Sequence, residues 1–305
     1  MAQILDGNLI RDQIKNECRP RVERISAHAG RPPGLAVILV GHNPASEVYV
    51  RSKTRTAAEL GIHSETITPD NSISTANLLA IVSDLNRRDD IDGILIQLPL
   101  PAHIDSATVL LAVSPAKDVD GFHPCNVGAL VTGRPGPRPC TPAGVIELLV
   151  RYNLPIAGRN AVIVGRSDIV GKPMALLLLE RHATVTICHS KTRDLAPICR
   201  TADILVAAIG RPAFLTADHI QPGAVVIDVG INRVNDRALA ETIFPPEKLA
   251  NFNAKGYLLT GDVHPGDMAR LASAYTPVPG GVGPLTIALL MRNTIEAAER
   301  RTGIN

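Results

Sequence analysis

Tryptophan is absent from this chain of 305 residues, and tyrosine and phenylalanine number only four each. Any ring found among polar residues is therefore one of few surfaces on which a planar ligand could stack. The five cysteines (Cys18, Cys125, Cys140, Cys188, Cys199) are an odd set with no CxxC pair. That argues against a disulfide framework and against a zinc ribbon, and for a reducing cytoplasm. A net charge of +2 gives no nucleic-acid footprint. No apolar run approaches the ~18 residues of a membrane span. The opening MAQILDGNLIRDQIK carries charge where an export signal would be apolar, so neither membrane nor export is expected. HExxH, GxSxG and P-loop patterns are missing, and the nine histidines show no ligand spacing, so no metal is expected. No internal repeat of fixed period is present.

What the chain does contain is an alternation. Short β-rich runs, LAVILV (35–40), GILIQL (93–98), AVIVG (161–165), TVTIC (184–188), DILVAAIG (203–210) and AVVIDVG (224–230), alternate with helical stretches such as 45–60, 74–86, 104–112 and 172–181. This predicts an α/β fold of mostly parallel sheets covered by helices. Two Gly/Pro-rich stretches, TGRPGPRPCTPAG (132–144) and TPVPGGVGP (276–284), predict where the chain leaves one domain and returns to it. The expected division is 1–139 plus 283–305 for one domain and 140–282 for the other, with a ligand cleft between them and a last helix over roughly 284–301.

Within GHNPASEVYVRSKTRTAAELGI, Tyr49 and Lys53 stand four residues apart, hence on one helix face. Asn43 suits the cap and Pro44 the first turn. A ring beside an amine offers a stacking surface and a proton carrier; taken alone, the pair favours a plainer reading, a ring covering core and a solvated surface charge. Gln97 ends a buried strand in DGILIQLPLP, the edge of a parallel sheet where ligands bind, and can hold an amine or amide. A cis Leu98–Pro99 bond is one option there. In KDVDGFHP, Asp118 or Asp120 could accept paired N–H groups from a heterocycle, or simply form an Asp-Gly turn. An EF-hand is excluded, since His123 stands where the loop needs glycine.

AVIVG followed by GRSDIVGKP is a strand, a glycine turn and a helix start, an arrangement that favours phosphate through free N–H groups and the helix dipole. Gly165 and Gly171 are six apart, so the spacing is not GxGxxG. An NAD site usually places an acid about 20 residues past the first glycine. This chain has Cys188-His189-Ser190-Lys191-Thr192 there, and Arg166 in the turn. Cations and hydroxyls suit a 2′-phosphate, so NADP is the expected cofactor.

Six segments, PASEVYVRSK (44–53), DGILIQLPLP (92–101), KDVDGFHPCNVGAL (117–130), GRSDIVGKP (165–173), ATVTICHSKT (183–192) and TPVPGGVGPLTIALL (276–290), resemble in order the bifunctional methylenetetrahydrofolate dehydrogenase/methenyltetrahydrofolate cyclohydrolase family, the FolD type. The resemblance implies a Rossmann-like C-terminal domain and two activities. NADP-dependent oxidation turns 5,10-methylenetetrahydrofolate into the methenyl cation, and hydrolysis yields 10-formyltetrahydrofolate. It implies Lys53 as the catalytic lysine, Gln97 beside it, Tyr49 stacked on the folate, Asp120 on the pterin, and Pro279 and Gly280 lining the folate site. Gly165, Arg166, Ser167, Ser190 and Ile231 match its cofactor positions, and a homodimer formed through the cofactor domain is implied. Hydrolysis would then ask for a neutral Lys53 amine to take a proton from water. The segment after GDV (261–263), HPGDMARLAS, departs from the family's more usual acidic or aromatic residue and puts that loop in question. Rival readings are another NADP dehydrogenase on the same architecture and a binding protein without turnover.

Overall fold

The computed structural model describes residues 2–304. In chain order the first elements are β1 (Gln3–Ile4), α1 (Gly7–Ala29), β2 (Gly34–Ile38), α2 (Pro44–Leu60), β3 (His63–Ile67), α3 (Thr75–Arg87), β4 (Gly93–Ile96), α4 (Ser106–Leu111), α5 (Pro124–Val131) and α6 (Cys140–Arg151). There follow β5 (Asn160–Val164), α7 (Gly171–Glu180), β6 (Thr184–Cys188), α8 (Leu195–Cys199), β7 (Ile204–Ala207), β8 (Val225–Asp228), β9 (Asn232–Val234), α9 (Arg237–Ile243), α10 (Pro246–Lys255), β10 (Leu258–Thr260), α11 (Pro265–Leu271), β11 (Ala274–Tyr275) and α12 (Val282–Thr302).

The chain forms two compact units. One holds the residues up to Ile10 together with Thr141–Leu285; the other holds Arg11–Cys140 together with the chain from Thr286 on. The first ten residues thus leave the domain expected from sequence. The reason is local: β1 pairs in parallel with β11, and the Gly7 N–H donates to Gly280 O at 2.9 Å. A two-residue strand carries too little pattern to betray this in the sequence. The later boundary falls between Leu285 and Thr286, further into α12 than the expected 282/283.

In the second unit three parallel strands run in the order β3-β2-β4. Every residue of β2 and β4 is buried, as expected for strands covered on both faces. Ala36, Ile38, Ile94 and Ile96 pack there against Leu78, Val82 and Leu85 of α3. Those three recur at i, i+4 and i+7, the inward stripe of a helix. Each fully buried Leu or Ile contributes roughly 1.5–3 kcal/mol. Ser74 caps α3 by accepting from the Asn77 N–H at 3.2 Å.

The other unit is a six-stranded sheet in the order β1-β11-β8-β7-β5-β6, parallel throughout. Val162, Val164, Leu205, Ala207 and Val226 fill its core. Strands β9 and β10 form a separate antiparallel pair. After Val263, His264 caps α11 by accepting from the Asp267 N–H at 3.3 Å, and Pro265 takes the first helical position. The unusual segment there is thus an ordinary capped helix. Among the described residues no helix is long and apolar enough to cross a membrane, and no cluster of His, Cys, Asp or Glu could hold a metal.

Candidate functional site

In the second unit the site is built from α2 and the two chain segments beside β4. Asn43 Oδ1 accepts from the Ser46 N–H at 3.2 Å, the cap anticipated from sequence. Along α2, Val50, Lys53, Ala57 and Leu60 are buried, so Lys53 lies in the inward stripe and is only 8% exposed. Tyr49, one turn earlier, is 42% exposed and keeps a face open. Partial burial raises its phenol above the ordinary range.

Gln97 follows β4, with its N–H tied to Ile38 O at 2.9 Å. Its Nε2 donates to Leu98 O at 2.7 Å, which fixes the amide so that Oε1 accepts from Lys53 Nζ at 2.9 Å. The Leu98–Pro99 bond is cis, as is Val278–Pro279.

The two aspartates separate by role. Asp118 accepts from the N–H groups of Gly121 (3.1 Å) and His123 (2.8 Å) and from Asn126 Nδ2 (2.8 Å), so it holds its own loop. Asp120 is half-buried and makes no hydrogen bond or ion pair among the described residues. Burial pushes its carboxyl up to about 7, with Lys53 pulling it down and Asp118 pushing it further up. Asn293 pins the neighbouring backbone by donating to Val119 O (2.8 Å) and Arg138 O (3.0 Å). A carboxyl with no internal partner, on a fixed loop, is available to a ligand. Asn293 went unnoticed in the sequence because a lone asparagine within an apolar helix has no motif.

In the first unit, the turn after β5 is shaped by backbone. Gly165 has φ +136°, and a Cβ there would lie 2.2 Å from Ala208 O. Its N–H donates to Cys188 O at 2.9 Å, which brings the β5 turn beside the end of β6. Ser167 Oγ accepts from the N–H groups of Val170 and Gly171 ahead of α7. A Cβ at Gly171 would meet Gly165 O at 2.3 Å. Arg166, Ser190 and Lys191 are exposed around this turn, and the two cations have no ion pair among the described residues. A small backbone cradle ringed by free cations and a hydroxyl, with no carboxylate at the end of β6, fits a phosphorylated dinucleotide.

Ile231 is 45% exposed and lines a cavity of about 410 Å³ with Gly230, Pro279, Gly280 and Asn8. One wall thus joins an expected cofactor position to two expected folate positions. Behind it stands a carboxylate network that the motifs did not reveal. Asp262 accepts from three successive backbone N–H groups, Ile209 (2.6 Å), Gly210 (3.0 Å) and Arg211 (2.8 Å), and from Asn232 Nδ2 (2.9 Å). Asp228 accepts in turn from the N–H groups of Gly230, Asp262 and Val263. Burial pushes Asp228 up to about 7, against the pull of those N–H donors.

Comparison with known proteins decides the family. The Tetrahydrofolate dehydrogenase/cyclohydrolase NAD(P)-binding domain model matches residues 139–302, and the catalytic domain model of the same family matches 5–120. The chain belongs to the tetrahydrofolate dehydrogenase/cyclohydrolase family. It is 65% identical over 306 residues to the bifunctional protein FolD of Solibacter usitatus, covering 100% of both chains. It is 60% identical to that of Koribacter versatilis, covering 99% of each. The bifunctional FolD enzyme of Campylobacter jejuni superposes with a TM-score of 0.90 at 42% identity, covering 99% of this chain and 100% of that one. The Trypanosoma brucei FolD enzyme, solved with NADP cofactor and inhibitor, gives 0.88 at 37% identity over 98% of each. As a family member the chain is a bifunctional enzyme, a dehydrogenase and a cyclohydrolase, with an NAD(P)-binding domain.

Proposed function

We propose that Lys53, oriented by Gln97, is the proton acceptor of this enzyme, with Asp120 holding the pterin and Tyr49 stacking on the folate. The reactions are oxidation of 5,10-methylenetetrahydrofolate to the methenyl cation and hydrolysis of that cation to 10-formyltetrahydrofolate. The observation that carries the residue assignment is the buried Lys53–Gln97 hydrogen bond in the unit that also holds a carboxyl without an internal partner, Asp120.

NADP supplies the hydride acceptor. Arg166, Ser190 and the turn at Gly165 and Ser167 hold its phosphates, and Ile231, Pro279 and Gly280 shape the adjoining wall. For the oxidation the chain's contribution is alignment of the reacting carbon. Hydrolysis asks more. Water adds to the electrophilic carbon between N5 and N10 and loses one proton as the C–O bond forms; the C–N5 bond then breaks as N5 takes up a proton and the new hydroxyl gives its own up, so that one proton is released overall. The Lys53 amine is the group placed to take the proton lost by the water. Gln97 Oε1 accepts one amine N–H, which fixes where the nitrogen stands. The ionised Asp120 carboxylate accepts two N–H groups from the pterin.

A second copy of the chain completes the assembly in this reading. Strand β6 is a sheet edge, with Ile187 41% exposed on it and Leu179 58% exposed on the preceding helix. An open edge with apolar neighbours is a surface for a homodimer made through the cofactor unit. The five free cysteines suit a cytoplasmic location. The test is a spectroscopic assay with 5,10-methylenetetrahydrofolate and NADP, then NAD, following reduced cofactor and methenyl product together. Reduction with NADP and decay of the methenyl signal are expected. A rate with NAD equal to that with NADP overturns the cofactor reading, and a methenyl signal that does not decay overturns the hydrolytic one.

A further inference from the structure

The strand order β8-β7-β5-β6 reverses at β5: the chain runs from β5 to β6 on one side and resumes at β7 on the other. A dinucleotide lies across such a reversal, one mononucleotide half on each side. Arg166, Ser190 and Lys191 follow β5 and β6, where they suit the half that carries the 2′-phosphate. The nicotinamide half then falls to the turns after β7 and β8, residues 209–211 and 229–232.

A buried carboxylate shapes both turns. Asp262 is fully buried. Its Oδ2 accepts from the N–H groups of Ile209 (2.6 Å) and Gly210 (3.0 Å). Its Oδ1 accepts from the Arg211 N–H (2.8 Å) and from Asn232 Nδ2 (2.9 Å). A carboxylate offers about four acceptor positions, so those of Asp262 are filled by the protein itself. Asp228 stands behind it. Its Oδ1 accepts from the Gly230 and Asp262 N–H groups at 3.0 and 2.9 Å, and its Oδ2 from that of Val263 at 2.8 Å. Two glycines permit this approach in a reciprocal way. A Cβ at Gly230 would lie 2.4 Å from Asp262 Oδ1, and one at Gly261 would lie 1.9 Å from Asp228 Oδ2. The turn after β8 and the turn at 261–263 are thus interlocked, each holding the other's carboxylate against its backbone.

We propose that Asp262, held by Asp228, is a positioning residue for the nicotinamide half of the cofactor, fixing the two turns before the cofactor arrives. This rests on the reading of Ile231 as a cofactor position, since Ile231 lies in the second of those turns. Hydride transfer depends closely on alignment, whereas affinity for the phosphate-bearing half comes from the ends of β5 and β6. Loss of the carboxylate should therefore slow the transfer and spare that affinity. Asp262→Asn is nearly isosteric, yet its NH2 group would face buried N–H donors, so at least one turn must shift.

The test sets kcat for NADP reduction in Asp262→Asn beside the dissociation constant of adenosine 2′,5′-bisphosphate, which reports on the phosphate-bearing half alone. A displacement on the order of 1 Å should lower kcat by about 10²-fold. The bisphosphate should bind as it does to the wild type. Asn232→Ala removes one of the four donors and should give the same split on a smaller scale; it carries the test if Asp262→Asn does not fold. Bisphosphate affinity that falls in step with kcat would show that Asp262 only holds the unit together, and overturns the proposal. If Ile231→Ala lowers kcat while the Asp262 and Asn232 variants do not, the proposal fails and the cofactor reading stands. If all three leave kcat unchanged, both fail.

Discussion

The two ligand-facing strand ends of this protein are built on opposite plans. At the end of β4 the amine is buried and already partnered: Lys53 is 8% exposed and bonded to Gln97, which is itself fixed by Leu98 O. At the ends of β5 and β6 the backbone does the shaping, through Gly165 and the Ser167 turn, while Arg166, Ser190 and Lys191 stand exposed. Proton transfer needs a group whose position and surroundings are set before the ligand arrives. Phosphate recognition needs free donors and charge, and the ligand itself orders them. A change at the first end should therefore break a network, whereas a change at the second should remove affinity and little else.

The sharpest way to break this comparison is Lys53→Met. Loss of a positioned base predicts a fall in cyclohydrolase rate of about 10²- to 10⁴-fold. Hydride transfer, which takes no proton from water, should fall far less. Separate assays of the two half reactions measure this, and unimpaired hydrolysis in the variant removes Lys53 from the role.

Arg166→Ala tests the other end. Losing a charge-assisted bond of roughly 1.5–3 kcal/mol should weaken NADP by about 10- to 100-fold. NAD binding should change little, and the melting temperature should hold. Equal losses for the two cofactors would show that Arg166 does not read the 2′-phosphate.

Asp120 gives a pH signature confined to the first end. Its folded carboxyl titrates near 7, above its unfolded value, so the folded state holds a proton that the unfolded state has released. Stability therefore declines as pH rises from the ordinary carboxylate range to about 7. Asp228 contributes with the same sign, so Asp120→Asn should reduce that slope in ligand-free urea melts without removing it. If Asp120 holds the pterin as proposed, folate binding should show the reverse trend, because an ionised carboxylate accepts both N–H groups. KM should fall as pH rises through about 7 in the wild type, and the dependence should vanish in Asp120→Asn.

The smallest effect expected is at Asn43. Removing the cap with Asn43→Ala should cost about 1 kcal/mol and lower the melting temperature. Both activities should fall together and modestly, since α2 carries Lys53 and Tyr49 alike. A large selective loss of one activity would mean that Asn43 meets a ligand.

Much of the site was legible because short-range patterns encode it. The spacing of Tyr49 and Lys53 and the Asn43 cap lie within one helix, and the glycine turn before α7 lies within one strand-turn-helix unit. Where the sequence left Asp118 and Asp120 equivalent, the fold separated them: two N–H groups of its own loop and the Asn126 amide on α5 engage Asp118, and among the described residues none engages Asp120. The Asp228–Asp262 network was illegible, since most of its donors are distant along the chain: Ile209–Arg211 and Asn232 reach Asp262, and the Asp262 and Val263 N–H groups reach Asp228.

By itself, then, the sequence determined the alternation of strands and helices, the residue types found at the candidate site, and the absence of an acid at the end of β6. Periodicity and residue chemistry are local properties, and local properties survive in a string of letters. Tertiary structure alone decided that β1 joins the sheet of the cofactor unit, that Lys53 turns inward while Tyr49 stays half open, and that Asp118 is engaged by its neighbours while Asp120, among the described residues, is not. Each of these depends on which distant backbone groups come within hydrogen-bonding reach or bury a side chain, and only the folded chain brings them there.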